Sequence, residues 1–197
     1  MGRVVVMNHV SLDGVMQGPG RPDEDTSDGF ARGGWGLSDE AAGQAMGERM
    51  AAGGGLAGWL FGRRTYEDLL GYWTQQSDSP FGPMLEGAAK YVASTTLREP
   101  LAWPSSTLLR GDVTEAVARL KADVDGVLAI MGSGRLIETL LPHDLIDEFL
   151  LLINPCVLGS GRRLFPDGTP FARLRCVSAN ALPSGLLVAT YTRPDSD

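Results

Sequence analysis

The chain has 197 residues, 43% of them hydrophobic, and carries a formal net charge of −7 at pH 7. This length and apolar content suit one domain with a substantial core. The acidic balance argues against nucleic-acid or membrane partners. Two cysteines and two histidines without close metal-ligand spacing predict no metal site. Asn8 and His9 interrupt the N-terminal apolar run, which is unlike a signal peptide or a membrane span, so we expect a cytoplasmic protein.

The first part of the chain predicts a strand, a long loop, a helix and a second strand. The predicted bounds are 4–10 for the strand, 17–36 for the loop, 38–52 for the helix and 56–61 for the second strand. Ser38 is the candidate N-cap of the helix. The loop is rich in Gly, Pro and Asp and is longer than a connection requires. We therefore expect it to be mobile without ligand and to order over a bound substrate.

The rest of the chain alternates helices and strands and ends in two strands. The predicted elements are a helix from 62, a polar loop over 74–83, strands over 90–94 and 107–109, a helix from 112 or 114 to 122, a strand over 127–131, a helix that Pro142 ends, a strand over 148–157, and an antiparallel pair over 173–181 and 186–192. This order predicts a three-layer α/β/α domain with a mixed, mostly parallel central sheet and an antiparallel C-terminal pair. We predict one domain over 1–193 and a tail over 194–197.

A short glycine turn follows the apolar run Val127–Met131. Gly132 and Gly134 have no Cβ and let a ligand approach the backbone closely, and helical spacing starts at Leu136. Such a strand–turn–helix unit directs free backbone N–H groups and a helix dipole at one point, which suits a phosphate or pyrophosphate. The alternative is a corner that needs positive φ and binds nothing. The longer dinucleotide-binding pattern is incomplete, because Ile137 occupies the position of its third glycine.

Polar turns follow three predicted strands, at Gly62–Thr65, Ser94–Thr96 and Gly132–Arg135. Ligands of open α/β sheets bind beyond the carboxyl ends of the strands, so we expect these turns to meet at one site. Guanidinium, hydroxyl and backbone N–H groups all bind phosphate. Solvated helix-start residues would also explain Arg63 and Arg64, but the helix dipole disfavours cations there. The combined pattern predicts an anion-binding site.

The same residues resemble a known fold family. The run Gly62–Glu67 resembles the G-R-x-T-aromatic-E motif of the dihydrofolate reductase fold. Val92–Thr95 resembles the second cofactor strand end of that fold, and Gly132–Leu136 its glycine turn over the cofactor pyrophosphate. The segments that are similar to the reductase domain of the bacterial riboflavin-pathway deaminase-reductases are 11–14, 145–148, 155–161 and 164–165. The resemblance covers nearly the whole chain, from 4 to about 192.

The resemblance implies a reductase that uses NADPH. It implies that Arg63 binds the 2′-phosphate of the cofactor, with Arg64 and Thr65 as further phosphate contacts. Ser94 and Thr95 would line the adenosine end. The pyrophosphate and the nicotinamide side would be held by Gly132, Ser133, Gly134, Arg135 and Leu136.

The substrate half of the predicted site departs from both relatives. Met131 stands where the riboflavin reductases usually carry an acidic residue. Asp39 or Glu40, which follow the long loop, could stand where dihydrofolate reductases carry a carboxylate, although a dipole-favoured helix start also explains both. Asp13 could contact substrate or stabilise its own turn. The candidate catalytic residues are Asp13, Trp35 and Asp39.

The sequence thus predicts an NADPH-dependent reductase that transfers hydride to a small pteridine- or pyrimidine-like heterocycle. The alternatives are a dihydrofolate reductase or 5-amino-6-(5-phosphoribosylamino)uracil reductase proper, and an NADPH-binding module without turnover. We also expect a homodimer, because the run Phe149–Ile153 is more apolar than one sheet face needs and the resembled reductase domains dimerise.

Overall fold

The computed structural model describes residues 1–76 and 81–194. Within these ranges the strands are Arg3–Ser11 (β1), Leu56–Gly62 (β2), Lys90–Ala93 (β3), Ser106–Leu109 (β4), Val127–Ile130 (β5), Glu148–Asn154 (β6), Arg175–Ala181 (β7) and Leu187–Thr192 (β8). The helices are Glu40–Ala51 (α1), Arg63–Trp73 (α2), Phe81–Gly87 (α3), Val113–Asp123 (α4) and Gly134–Leu140 (α5). None of these helices is both long and apolar enough to cross a membrane.

The strands form one sheet in the order β4-β3-β2-β5-β1-β6-β8-β7. The first six strands in this spatial order, from β4 at the edge through to β6, all run parallel. Strand β8 is antiparallel to both of its neighbours, β6 and β7. This arrangement confirms the predicted mixed, mostly parallel sheet with an antiparallel C-terminal pair. Strand β1 lies at the centre, because its first residues pair with β5 on one side and its whole second half pairs with β6 on the other.

Helices cover both faces of the sheet, which confirms the three layers. On one face, Val117 of α4 and Ile137 of α5 pack against alternate residues of the central strands, including Val4. On the other face, α1, α2 and α3 bury a set of side chains against Val5 and Trp59. Both faces of the parallel part are therefore buried, as unbroken apolar strands such as β5 require.

Four predicted details were wrong. The N-cap of α1 is Asp39, not Ser38, since the Asp39 carboxylate accepts hydrogen bonds from the N–H groups of Ala41 and Ala42 at 2.9 and 3.2 Å. Residues 81–83 of the predicted polar loop belong to α3, and residues 77–80 lie outside the described ranges. Strand β6 was predicted to run to residue 157 but ends at residue 154, because Pro155 has no N–H to donate to the neighbouring strand. Strand β7 begins two residues later than predicted. The predicted tail falls outside the described part except for residue 194.

The long loop after β1 packs on the body of the protein. Phe30 is 4% exposed and contacts Val15 and Leu158. Arg21 crosses to α2, where its guanidinium donates to Asp68 at 2.6 Å and lies 4.1 Å from the ring centre of Tyr72. These contacts hold the loop against the edge of α2. Whether a ligand changes its motion stays a prediction.

Candidate functional site

A cleft of about 950 Å³ opens at the carboxyl ends of β1 to β5. This is the edge at which open α/β sheets bind ligands. One wall comes from the three polar turns, and the opposite wall comes from the long loop and from Arg162. All ten residues predicted to bind cofactor line this cleft: Arg63, Arg64, Thr65, Ser94, Thr95, Gly132, Ser133, Gly134, Arg135 and Leu136. The tertiary structure therefore brings the three turns together, as expected.

The glycine turn has a left-handed backbone and is tied to the start of α2. Gly132 and Ser133 have φ values of 58° and 52°. The N–H of Ser133 donates to the Thr65 hydroxyl at 2.9 Å, and the N–H of Gly62 donates to the Ser133 hydroxyl at 3.0 Å. A Cβ on Gly132 would lie 2.9 Å from the Thr65 hydroxyl oxygen, so only glycine fits there. The two hydroxyls hold the two turns at a fixed separation.

Asn8 holds the same turn from the central strand, a role that the sequence analysis missed. Its side chain is 5% exposed. The Asn8 carbonyl oxygen accepts from the N–H of Gly132 at 2.6 Å, and its amide donates to the Gly132 carbonyl at 3.2 Å. Both backbone polar groups of Gly132 are thus fixed by one side chain. The available signal was a polar residue inside an apolar strand, where a buried amide must find partners.

The start of α5 presents unsatisfied backbone groups to the cleft. The N–H groups of Leu136 and Ile137 donate to the Ser133 carbonyl. Those of Gly134 and Arg135 form no hydrogen bond within residues 1–76 and 81–194. A Cβ on Gly134 would lie 3.1 Å from the sulfur of Met16, which also lines the cleft. Free donors at the start of a helix suit the pyrophosphate that the sequence predicts.

The predicted adenosine end is lined by hydroxyls and guanidinium groups. Arg63 donates to the Thr96 hydroxyl at 3.2 Å and its side chain remains 45% exposed. Its other contact is Glu67, at 3.8 Å. The Ser94 hydroxyl accepts from the N–H groups of Thr96 and Leu97 at 3.2 and 3.0 Å, which shapes the turn. The Arg63 side chain can therefore reach a ligand without leaving a buried partner unpaired.

The three candidate catalytic residues lie outside the lining of the cleft. Asp13 accepts from the hydroxyl of Ser11 and from the N–H groups of Leu158 and Gly159, and these bonds lower the pKa of its carboxyl to about 2. The Ser184 hydroxyl donates to the Asp39 N-cap carboxylate and lowers the pKa of that group. The indole N–H of Trp35 donates to the backbone of the loop. Each of these contacts stabilises a turn or a helix, and the catalytic role stays a prediction.

Other polar groups line the cleft besides the three turns. The Arg162 guanidinium donates to Asp25 and to the Ser27 hydroxyl, both at 2.8 Å. Burial opposes ionisation of Asp25, but the hydrogen bonds from Ser27 and Arg162 outweigh it and bring the pKa of the carboxyl to about 2. Burial raises the pKa of Glu24 and lowers that of His9. Sequence reasoning missed the pairing of the long loop with Arg162 because the two are far apart in the chain.

Comparison with known proteins agrees with this geometry. The RibD C-terminal domain model matches residues 3–188. The uncharacterized protein YyaP of Bacillus subtilis (strain 168) is 29% identical over 137 residues, which are 67% of this chain and 71% of YyaP. A protein of Shewanella sp. PV-4 assigned to riboflavin biosynthesis is 23% identical with a TM-score of 0.69, over 98% of this chain and 99% of the other.

A similar fold occurs in dihydrofolate reductase from Enterococcus faecalis, in a complex with NADP(H) and RAB-propyl. That structure has a TM-score of 0.62 at 14% identity, over 98% of this chain and 97% of the reductase. At such low identity the likeness concerns the fold alone. The match over residues 3–188 is more specific, since it spans every strand through β7 and the three polar turns. The chain belongs to the RibD C-terminal domain family.

Proposed function

We propose that this protein is an NADPH-dependent reductase that transfers hydride to a small pteridine- or pyrimidine-like heterocycle. One observation carries the proposal: the ten residues predicted to bind cofactor line a single cleft at the carboxyl ends of the parallel strands. The family and the NADP(H) complex of the E. faecalis enzyme support the same assignment.

The residues present suit this cofactor. Free N–H groups at the start of α5 would hold the pyrophosphate, and Arg63 beside Thr96 would hold the 2′-phosphate. When bound, NADPH supplies the hydride. The chain itself binds and orients the reactants and excludes water through the loop that covers the cleft.

The proposal is tested by steady-state oxidation of NADPH. The acceptors to compare are 7,8-dihydrofolate and the ribosylaminopyrimidine phosphate on which a uracil reductase acts. Oxidation that depends on one acceptor supports the proposal and assigns the substrate class. NADPH binding without oxidation in the presence of either acceptor would favour a binding module without turnover.

Arg63→Ala should weaken NADPH binding by about ten- to a hundredfold and leave NADH binding nearly unchanged. The reason is that the 2′-phosphate distinguishes the two cofactors and that Arg63 would donate to it. Titration by quenching of intrinsic fluorescence measures both affinities. Gly134→Val should weaken both cofactors, because the added side chain would press on Met16, 3.1 Å from its Cβ, at the proposed site of the shared pyrophosphate. The matched control is Arg119→Ala, an exposed arginine of α4. Equal losses for both cofactors in Arg63→Ala would show that Arg63 is structural.

We further propose that the protein forms a homodimer through the edge of its sheet. The apolar run Phe149–Ile153, from which the sequence predicted a dimer, does not supply the interface. It lies in β6, which is buried between β1 and β8 within one chain. Strand β7 is a better candidate: all seven of its residues are exposed, including Val177 at 56%. Unprotected edge strands tend to pair. Light scattering at micromolar concentration should give twice the 21.0 kDa chain mass. A monomer, or a dimer that Val177→Lys leaves intact, would contradict this proposal.

A further inference from the structure

His9 occupies a distinct place in the cleft. It lies on the central strand β1, directly after Asn8, which fixes the glycine turn. His9 lines the cleft together with Met7, two residues earlier on the same face of the strand. Adjacent residues of a strand point to opposite faces, so the imidazole lies on the other face of β1 from the Asn8 side chain. The mechanism described above gives this side chain no role.

The hydrogen bonds around Asn154 determine which nitrogen of His9 carries the proton. The N–H of Leu37 donates to the Asn154 side-chain oxygen at 2.8 Å, so the other end of the amide must be its NH₂ group. That NH₂ group donates to the Leu152 carbonyl at 2.9 Å and lies 3.2 Å from Nδ1 of His9, closer than the 3.4 Å to the Val10 carbonyl. Because Asn154 can only donate there, Nδ1 of His9 accepts. The neutral ring must then carry its proton on Nε2.

The other edge of the ring faces the open cleft. Nε2 of His9 forms no hydrogen bond with any residue in the described part of the chain, and it is not among the buried side-chain atoms that lack a partner. It is thus accessible from the cleft that His9 lines. The neutral imidazole thus offers an N–H donor of fixed direction that none of residues 1–76 and 81–194 uses.

We propose that His9 is a substrate-binding residue whose Nε2–H donates to an acceptor on the heterocycle, a ring nitrogen or a carbonyl oxygen. Asn154 is the positioning residue that fixes the tautomer. This inference rests on the proposed reductase function and names one determinant of its specificity. It selects for substrates with an acceptor at that point and against those that present only a donor there, because a donor would face the Nε2–H.

The tautomer is tested by long-range ¹H–¹⁵N correlation spectra of the protein labelled with [¹⁵N]histidine. The chain has two histidines, so the spectrum is simple, and the exposed His143 serves as the internal control. His9 should show the proton on Nε2 alone, whereas the exposed His143 should show a mixture of the two tautomers. Asn154→Ala should abolish the fixed pattern of His9 alone. A proton on Nδ1 of His9, or a mixture like that of His143, would overturn the inference.

Substrate contact is tested by kinetics with NADPH and the two acceptors named above. His9→Phe should lower kcat/KM about three- to tenfold, mainly through KM, as expected for one lost neutral hydrogen bond. His9→Gln, whose amide can donate to the same acceptor, should lose less. NADPH affinity and thermal unfolding show that both variants fold, and His143→Gln is the matched control.

The outcomes separate the inference from the function on which it rests. Turnover by the wild type with equal kcat/KM in His9→Phe would overturn the role of His9 and leave the proposed function standing. Equal losses in His9→Phe and His9→Gln would overturn the hydrogen bond. No turnover by the wild type would overturn the proposed function and this inference with it.

Discussion

Replacing Arg49 with alanine should lower the free energy of unfolding by about 3 kcal/mol. Arg49 lies in the last turn of α1 and donates to both carboxylate oxygens of Glu148, which is fully buried at the start of β6. The remaining partner is Arg3, which donates to one oxygen at 2.9 Å. Without Arg49, the buried Glu148 carboxylate keeps only Arg3, which is partly exposed and bonds to a single oxygen. Leaving a buried charge with too few partners is strongly destabilising.

The buried carboxylate is the source of this cost, and a second variant separates it from lost packing. Glu148→Gln removes the charge, and Arg3 and Arg49, which are 39% and 31% exposed, can turn to water. We expect Glu148→Gln to cost about 1–2 kcal/mol. Arg49→Ala should then cost less in the Glu148→Gln background than in the wild type. Urea unfolding of the four proteins measures both costs, and equal costs in the two backgrounds would contradict the electrostatic explanation.

Lys90→Met should lower the free energy of unfolding by about 3 kcal/mol and should loosen α3. Lys90 is fully buried at the start of β3, and burial lowers the pKa of its ammonium group. Its three N–H donors bond to the carbonyls of Leu85, Glu86 and Ala88, at 2.9, 2.9 and 2.8 Å. The carbonyls of Leu85 and Glu86 are in the last turn of α3, where they have no partner within a helix, and that of Ala88 directly follows it. Methionine fills the same space and satisfies none of them.

Hydrogen exchange locates the effect of Lys90→Met. Amides of α3 should exchange faster, while those of β5 on the far side of β2 should keep their protection once global stability is taken into account. Arg119→Met is the matched control, since it replaces a cation that is 65% exposed and 3.5 Å from Glu115. It should change stability by less than about 0.5 kcal/mol. A similar loss in both variants would show that the carbonyl contacts of Lys90 contribute little.

The amino-acid sequence by itself determined most of the fold and the three polar turns that line the cleft. Strand periodicity, the apolar run of β5 and the glycine turn are local patterns, so they could be located without knowing what packs on them. The three polar turns could be assigned to one site because parallel strands place their carboxyl ends at one edge. Arg63 and Gly134 were identified in this way, and both line the cleft.

Contacts between distant segments could be decided only by the tertiary structure. Helix α3 is only seven residues long, too short for a clear helical pattern in the sequence. The carbonyl groups at its end accept hydrogen bonds from Lys90, which the sequence pattern assigns to a strand. Asn8 and Asn154 are 146 residues apart, yet both fix groups in the cleft through single amides. Asp13 and Asp39 had suitable chemistry, but their carboxylates are bonded to nearby backbone N–H groups away from the cleft. Local patterns specify elements, whereas the partners of a buried polar group depend on which elements the fold brings within about 3 Å of it.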